Sequence, residues 1–209
     1  DVERLTARAD ELARYGLVLG KDGQLVGDFA VERRVVIQYS DIPEPMRQAV
    51  LAAEDSAFFR HVGVNPQRLL ITALNNVIQM RKAGGASTLT QQLARKLFLT
   101  DEKTWERKIR EAILAMHIVN RYTTREIFTL YCNQMYFGHG VYGVEAASRL
   151  YFAKSAKDLE LEEAAMIAGI LQSNVRQSPY VNMDAALRRR NYTLGRMADV
   201  GFITIEQAD

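Results

Sequence analysis

The sequence has very little cysteine and histidine and no long apolar run. Its single cysteine, Cys132, excludes an internal disulfide and is expected to be a small buried apolar residue. No apolar stretch reaches the roughly 20 residues that a membrane-spanning helix needs, and no signal peptide is present. His61, His117 and His139 do not fall at metal-ligand spacing with one another or with Cys132, which argues against a metal site of these side chains. His117 is expected in the core.

Charge is balanced over the whole chain but not along it. The 27 Lys and Arg residues against 25 Asp and Glu residues leave a formal net charge of +2, so no global field favours nucleic acid as a partner. Between residues 81 and 110, however, eight cationic side chains stand against three acidic ones. This segment is either a solvated charged face or a site for an anionic ligand.

The composition is that of a globular protein, with 48% apolar and 25% charged residues among 209. That is enough for one domain with a sizeable core. The chain begins at Asp1 rather than at methionine, and we expect it to be a segment of a longer protein. Residues 1–40 are predicted to lead into a single domain formed by residues 41–209.

Turn residues near the N-terminus predict short strands. Residues 20–23 read Gly-Lys-Asp-Gly and separate predicted strands at 17–19 and 24–29. A third short strand is expected over residues 34–38. Before them, apolar residues at helical spacing predict a linker helix over residues 1–14.

From residue 44 onward the apolar periodicity is almost entirely helical, so the predicted fold class is mainly α. Helix starts are expected at two capping boxes, Asp41 to Glu44 and Thr123 to Glu126. The helix at 66–82 has one apolar side, which fits either the core or a membrane interface. The predicted helices cover residues 44–59, 66–82, 88–99, 103–121, 125–136, 141–152, 161–171 and 184–200.

Two adjacent carboxylates, Glu54 and Asp55, lie in the apolar flank of the predicted helix 44–59. Val50, Glu54 and Phe58 are four residues apart and are expected to share a helix face. A carboxylate held among apolar side chains loses hydration, which raises its pKa toward the range of a general base. The other interpretation is an exposed glutamate at the edge of an amphipathic helix.

A glycine-containing loop leads into the predicted helix 88–99. A helix N-terminus offers N–H groups and a positive dipole to an anion, and the loop is not a nucleotide P-loop because no lysine follows its second glycine. The alternative is a capped surface helix whose cations favour its C-terminus. The candidate anion-binding and hydrogen-bonding residues are Gly85, Ser87, Thr88, Gln91, Gln92, Arg95 and Lys96.

The predicted helix 103–121 combines an apolar stripe with a charged cluster. Its second half is apolar nearly all round, so we expect a central buried helix. Glu111 lies one turn after Arg107 and beside Lys108, where it can remain ionised and position a cationic group or a divalent metal. An ordinary surface ion pair is the alternative. The expected core stripe is Trp105, Ile109, Ala112, Ile113 and Met116.

Five groups of residues occur in a characteristic order along the chain. They are Glu54 and Asp55 with Phe58, His61 and Gly63; Gly85 with Ser87, Thr88, Thr90, Gln91 and Gln92; Arg107 and Lys108 with Glu111; Ile127 with Tyr131 and Asn133; and Arg189 with Arg190. In this order they resemble the five motifs of the peptidoglycan glycosyltransferase family. That family comprises the lysozyme-like domain of class A penicillin-binding proteins and the monofunctional transglycosylases.

The resemblance implies a lysozyme-like helical domain with a small membrane-facing lobe, and an inverting transferase that polymerises lipid II onto a growing glycan chain. Glu54 would be the general base. Glu111, with a divalent metal (Mg²⁺ or Mn²⁺) or with neighbouring cations, would support the departing undecaprenyl pyrophosphate. The remaining implied roles are base-site shaping by Asp55, Phe58 and His61; donor or sugar binding by Gly85, Ser87, Thr88, Gln91, Gln92, Arg95, Lys96, Arg107 and Lys108; and fold support by Asn133, Arg189 and Arg190.

The resemblance also implies a cellular location and interaction partners. The domain would sit at the outer, periplasmic face of the bacterial cytoplasmic membrane, with its anchor outside this segment, beside other cell-wall synthesis proteins. A bifunctional parent is expected, although no Ser-x-x-Lys occurs here. Two alternatives are a lysozyme-like glycan hydrolase and a catalytically weak membrane-bound scaffold. Lys96, Asn120, Thr124 and the stretch 171–176 depart from the usual family pattern, which bears most on donor binding at Lys96.

Overall fold

Helices form most of the described chain in this computed structural model, which describes residues 17–19, 25–28, 33–60, 87–99, 102 and 104–209. The prediction of a mainly α fold is confirmed. The predicted helices 1–14 and 66–82, together with His61 and Gly85, lie outside the described residues.

Eight α-helices are described in these ranges, with three short 3₁₀ helices between them. The 3₁₀ helices are Tyr39–Asp41, Phe58–Arg60 and Ala156–Asp158. The α-helices are α1 (Glu44–Glu54), α2 (Leu89–Phe98), α3 (Trp105–Arg121), α4 (Thr124–Gln134), α5 (Val144–Phe152), α6 (Leu161–Ile170), α7 (Met183–Asp199) and α8 (Ile205–Ala208).

Two small sheets accompany the helices. Strands β1 (Leu17–Leu19) and β2 (Leu25–Asp28) pair antiparallel, as the turn residues predict. The second sheet has the order β3-β5-β4, in which β3 (Arg33–Arg34) runs parallel to β5 (Val141–Tyr142) and β4 (Tyr136–Gly138) runs antiparallel to it. The third strand is therefore shorter than the predicted 34–38.

The β4–β5 pair was not predicted, because Tyr136, Val141 and Tyr142 were assigned to the ends of two helices and residues 137–140 to the break between them. Gly138, His139, Gly140 and Gly143 all have positive φ, between 53° and 92°. That conformation is accessible to glycine and uncommon elsewhere, and it cannot continue a helix. The chain therefore reverses between α4 and α5 in a tight hairpin.

The central helix is α6, not the predicted helix 103–121. Every residue from Ala164 to Ile170 is buried, and α6 packs against both α1 and α7. Its small side chains allow this close approach: a Cβ added at Gly169 would meet the Arg189 Cγ of α7 at 2.9 Å. A helix that is apolar all round is buried on all sides, and α6 meets that condition.

Helix α3 buries one side and exposes three of the five residues of its predicted core stripe, whereas Ala112 of that stripe is buried. Trp105 is 64% exposed, and Ile109 and Ile113 are also exposed; His117 is exposed too, so the prediction of a core histidine was wrong. The buried residues are Glu111, Ala112, Ala115 and Ile118. The periodicity correctly predicts an apolar face on this helix, but it does not show whether that face packs in the core or is exposed. In the described part of the chain, no helix is long and apolar enough to cross a membrane.

Helix starts follow local side-chain chemistry. Thr123 and Glu126 form the predicted capping box of α4, with Thr123 N–H donating to the Glu126 carboxylate at 2.7 Å. The box predicted from Asp41 to Glu44 was wrong, because Pro43 is the residue that precedes α1. The Asp41 carboxylate accepts from the N–H of Gln38 at 3.0 Å instead.

Candidate active site

Glu54 is the last residue of α1, and the chain leaves the helix at Asp55. Asp55 has an extended backbone, with φ −161° and ψ 78°, and its carboxylate accepts a hydrogen bond from the Leu89 N–H at 3.3 Å. This bond ties the end of α1 to the start of α2. The predicted extension of the helix to residue 59 was therefore wrong. Phe58 lies outside α1 and does not share a helix face with Val50 and Glu54.

Phe58 nevertheless closes the apolar side of this junction. Its ring is buried and contacts Phe59 edge-on at 5.3 Å between centroids and Phe128 of α4 at 6.3 Å. Aromatic contacts of this kind add to the burial that holds the segment in place. The turn after Glu54 is therefore held by Asp55 on one side and by Phe58 on the other.

Gln92 holds the Glu54 carboxylate from α2. Its Nε2 donates to Glu54 Oε2 at 2.8 Å and lies 3.5 Å from the carbonyl oxygen of Ser87. On the other side of the amide, the hydroxyl of Tyr131 donates to Gln92 Oε1 at 3.1 Å. Tyr131 belongs to the fourth sequence motif but was given no role of its own, although a buried tyrosine hydroxyl signals a hydrogen-bonded partner.

The surroundings of Glu54 change its acidity in a way that suits a base. Burial raises the pKa of its carboxyl above the ordinary value, and the negative charge of Asp55 adds to the rise. The Gln92 hydrogen bond and the charges of Arg189 and Arg95 act in the opposite direction and lower the pKa. The net direction is upward, as the apolar flank of the sequence predicts.

Ser87, Thr88 and Gln91 form the start of α2. Thr88 and Gln91 make a capping box, in which Gln91 N–H donates to Thr88 Oγ1 at 3.3 Å and Thr88 N–H donates to Gln91 Oε1 at 3.2 Å. Gln91 is buried, so its side chain is committed to this cap. Ser87 presents its hydroxyl to the next helix, where Lys108 Nζ donates to Ser87 Oγ at 2.8 Å.

Glu111 is buried on α3 between two cations. Its side chain is 2% exposed; Arg107 Nη1 lies 2.6 Å from Oε2, and Lys108 Nζ pairs with Oε1. A buried carboxylate needs such partners because its desolvation is otherwise unfavourable. Since Ser87 contacts both Gln92 and Lys108, the Glu54 and Glu111 clusters meet at this residue. The structure thus brings the first three sequence motifs together.

The residues around Glu111 do not fit a divalent metal. Both of its carboxylate oxygens already pair with a cation, whereas Mg²⁺ and Mn²⁺ prefer several oxygen ligands. Within the described ranges, no three His, Cys, Asp or Glu side chains come together as a candidate metal site. A metal at Glu111 would have to share carboxylate oxygens with Arg107 and Lys108, whose positive charges repel it.

Arg95 and Arg189 approach Glu54 from α2 and α7. Each has a buried Nε that finds no hydrogen-bond acceptor in the part of the chain that the structure describes, and the charge of each lowers the pKa of Glu54. The guanidinium of Arg189 also stacks on the Tyr192 ring at 4.5 Å. Arg189, expected only to support the fold, therefore also acts electrostatically on the candidate base.

The remaining candidates lie at more varied positions. Asn133 is buried and bonds the backbone of Ile37, a contact typical of a structural residue. Arg190 donates to the Asn191 side chain at 3.0 and 2.9 Å. Lys96, the main departure from the family pattern, is exposed on α2.

The sequence of this chain is similar to that of one group of known proteins. The family model described as Transglycosylase matches residues 22–198. Penicillin-binding protein 1A of Aquifex aeolicus is 42% identical over 185 residues, which cover 88% of this chain and 26% of the relative. Penicillin-binding protein 1A of Escherichia coli is 41% identical over 192 residues, covering 92% of this chain and 23% of the relative. The chain thus spans about a quarter of the length of these relatives.

A solved structure supports the fold. The crystal structure of penicillin-binding protein 1A from Haemophilus influenzae superposes with a TM-score of 0.53 at 23% identity, covering 92% of this chain and 19% of that one. At this identity the likeness concerns the fold alone. It agrees with a lysozyme-like helical domain.

Proposed function

This chain belongs to the transglycosylase family, the peptidoglycan glycosyltransferase domains of class A penicillin-binding proteins, and we propose that it extends glycan strands from lipid II with Glu54 as its general base. The observation that carries the assignment is the hydrogen bond that Gln92 makes to a carboxylate whose pKa burial raises. A base must be ionised and aimed at the proton it removes. The Gln92 hydrogen bond aims the Glu54 carboxylate, and its raised pKa makes it a stronger base than an exposed glutamate.

The placement of Glu54 supports the following reaction. The 4-hydroxyl of the acceptor GlcNAc attacks the anomeric carbon of the donor MurNAc, and its proton passes to Glu54. The new bond between the acceptor oxygen and the anomeric carbon forms as the bond from that carbon to the pyrophosphate oxygen breaks. Attack from the face opposite the leaving group inverts the configuration.

The departing pyrophosphate carries away the electron pair and needs positive charge to stabilise it. Arg107 and Lys108 supply two cations at one end of the site, and Glu111 holds both of them in place. Arg95, whose buried Nε has no hydrogen-bond partner among the described residues, adds a third near Glu54. Since both oxygens of Glu111 already pair with these cations, no step of the proposed reaction is assigned to a metal there.

We also propose that the exposed apolar stripe of α3 rests on the membrane that carries the lipid substrate. Trp105, Ile109 and Ile113 are spaced by four residues on one face, and Phe98 at the end of α2 is half exposed. Exposed apolar residues in a continuous stripe are typical of an interaction surface, and a helix with one apolar face can lie in a bilayer interface. This placement would correspond to the periplasmic face, with other cell-wall synthesis proteins as neighbours.

The single tryptophan makes the membrane proposal directly measurable. Emission of Trp105 should shift to shorter wavelength when anionic phospholipid vesicles are added, because the indole leaves water. Ile109→Asp should weaken vesicle binding, and Ile205→Asp, on an exposed residue of α8, serves as the control. Unchanged Trp105 emission in the presence of vesicles would contradict the proposed contact between this stripe and the membrane.

The catalytic assignment is tested by polymerisation of labelled lipid II in detergent, with products resolved by length and with and without Mg²⁺. The wild-type chain should make long glycan. Glu54→Gln should make none while still binding lipid II. The matched control is Glu44→Gln, which changes an exposed carboxylate in the first turn of the same helix and should retain activity.

Other products would point to other functions. Shortening of polymeric glycan by the wild-type chain would favour a lysozyme-like hydrolase. Lipid II binding without any product would favour a catalytically weak scaffold. Substantial polymerisation by Glu54→Gln would remove Glu54 as the base.

A further inference from the structure

Tyr131 is a buried residue of α4 whose hydroxyl points at the amide that holds the candidate base. Its side chain is 1% exposed, and its hydroxyl donates to Gln92 Oε1 at 3.1 Å. The contact joins α4 to α2, 39 residues apart in sequence. Gln92 in turn donates to Glu54 Oε2 at 2.8 Å. Three side chains from three helices therefore form one directed chain of hydrogen bonds.

The donor-to-acceptor direction of these hydrogen bonds is fixed by Glu54 at one end and by Tyr131 at the other. A glutamine amide has an acceptor end and a donor end. An ionised Glu54 only accepts, so it requires the Nε2 end of Gln92. Tyr131 donates its proton to the other end, so it requires Oε1. If the amide turned over, an oxygen would face the Glu54 carboxylate and the tyrosine proton would lose its acceptor, which is unfavourable in a buried site.

We propose that Tyr131 is a positioning residue for the glycosyl transfer reaction, which fixes the amide of Gln92 so that the Glu54 carboxylate stays aimed and ionised. The inference rests on the function proposed above. Tyr131 touches no reacting atom and acts through Gln92. Its role is distinct from packing, because a phenylalanine of the same shape would fill the same space without orienting the amide.

The expected signature lies in the pH dependence of the reaction. The charged groups facing Glu54 are Asp55 beside it, Arg95 on α2 and Arg189 on α7, and Cys132 neighbours Tyr131 on α4. Burial raises the pKa of the Cys132 thiol, so it stays neutral. The Gln92 hydrogen bond lowers the pKa of Glu54. Loss of the tyrosine hydroxyl should weaken that bond and move the acidic limb of activity to higher pH.

The experiment compares Tyr131→Phe with Tyr151→Phe in lipid II polymerisation across pH, with melting temperature recorded for each. Tyr151 is the matched control because its hydroxyl also donates within the fold, to the Phe137 carbonyl at 2.7 Å. We expect Tyr131→Phe to lose roughly three- to tenfold in kcat/KM near neutral pH, the scale of one hydrogen bond between neutral groups. Its acidic limb should move upward, and that of Tyr151→Phe should stay in place.

A double-mutant cycle with Gln92→Leu isolates the coupling. In the Gln92→Leu background, Tyr131→Phe should cause no further movement of the acidic limb. An unmoved limb in Tyr131→Phe, or additive shifts in the double variant, would overturn the positioning role. Glu54→Gln distinguishes this failure from failure of the proposed function: if Glu54→Gln is inactive and Tyr131→Phe behaves as wild type, only the Tyr131 inference falls.

Discussion

The Asn133 side chain forms hydrogen bonds with both the backbone N–H and the backbone C=O of Ile37. The Ile37 N–H donates to Asn133 Oδ1 at 3.0 Å, and Asn133 Nδ2 donates to the Ile37 carbonyl at 2.8 Å, across 96 residues of sequence. Asn133 is buried on α4, and Ile37 precedes α1, the helix that ends in Glu54. The Asn133 side chain therefore satisfies the backbone N–H and C=O of Ile37, as a neighbouring β-strand would do.

Asn133→Ala should destabilise the fold by about 1–3 kcal/mol, because it leaves a partly buried N–H and C=O without their partner. Chemical denaturation measures the change in the free energy of unfolding. Asn191→Ala, at an exposed site on α7, is the control and should stay within about 0.5 kcal/mol of wild type. Equal stability of the two variants would contradict a structural role for Asn133.

The free energy of unfolding should fall as Glu54 ionises with rising pH. Since burial raises the pKa of its carboxyl, the folded chain holds the proton more tightly than the unfolded chain, and stability falls as pH rises through the interval between the two pKa values. Glu54→Gln cannot ionise. Its melting temperature relative to wild type should therefore increase as pH rises above roughly 4.3, the ordinary pKa of a glutamate in an unfolded chain, while polymerisation is lost.

The control for this comparison is Glu44→Gln, which removes an exposed carboxylate from the other end of α1. Thermal melts of the three proteins across pH give the result directly. A Glu54→Gln difference that is the same at acid and neutral pH would show that the carboxyl is not perturbed by burial.

Arg107→Ala should weaken binding of a pyrophosphate-bearing donor or of a phosphoglycolipid inhibitor such as moenomycin by about tenfold or more, the scale of a charge-assisted hydrogen bond. Arg110→Ala is the matched control, because Arg110 lies on the same helix in an exposed pair with Glu106. Calorimetry or fluorescence anisotropy measures both affinities. Unchanged affinity in Arg107→Ala would remove this residue from the donor site.

Local chemistry was the part of this structure that could be predicted from sequence. Thr123 with Glu126 starts α4 as predicted, and the order of motifs located Glu54, Gln92, Arg107 and Glu111 in one site. Each of these depends on interactions within a few residues or on a pattern specific to the family.

What could not be predicted depends on contacts between distant segments. The end of α1 is set by Asp55 accepting a bond from Leu89 of another helix, which no local pattern reveals. The second half of α3 and most of α6 are both apolar nearly all round in sequence, but of these two helices it is α6 that is enclosed. The hydrogen bonds from Tyr131 to Gln92 and from Gln92 to Glu54 join residues that are far apart in the sequence.

The packing of α6 on α7 gives a prediction that links stability to the base. A Cβ added at Gly169 would lie 2.9 Å from Arg189 Cγ and 3.5 Å from its backbone carbonyl, so Gly169→Ala must displace Arg189 or the helix. We expect a loss of about 1–2 kcal/mol, since overpacking exceeds the gain in helix propensity. Because the Arg189 charge lowers the pKa of Glu54, the acidic limb of activity should also move to higher pH.

The same substitution at Gly195 of α7 provides the control. A Cβ there would meet no atom within 4 Å, so Gly195→Ala should stabilise the helix by about 0.5–1 kcal/mol and leave the pH profile in place. Denaturation and polymerisation across pH test both variants side by side. If Gly169→Ala gained stability as Gly195→Ala does and kept the wild-type acidic limb, Arg189 would not depend on this close contact for its position beside the base.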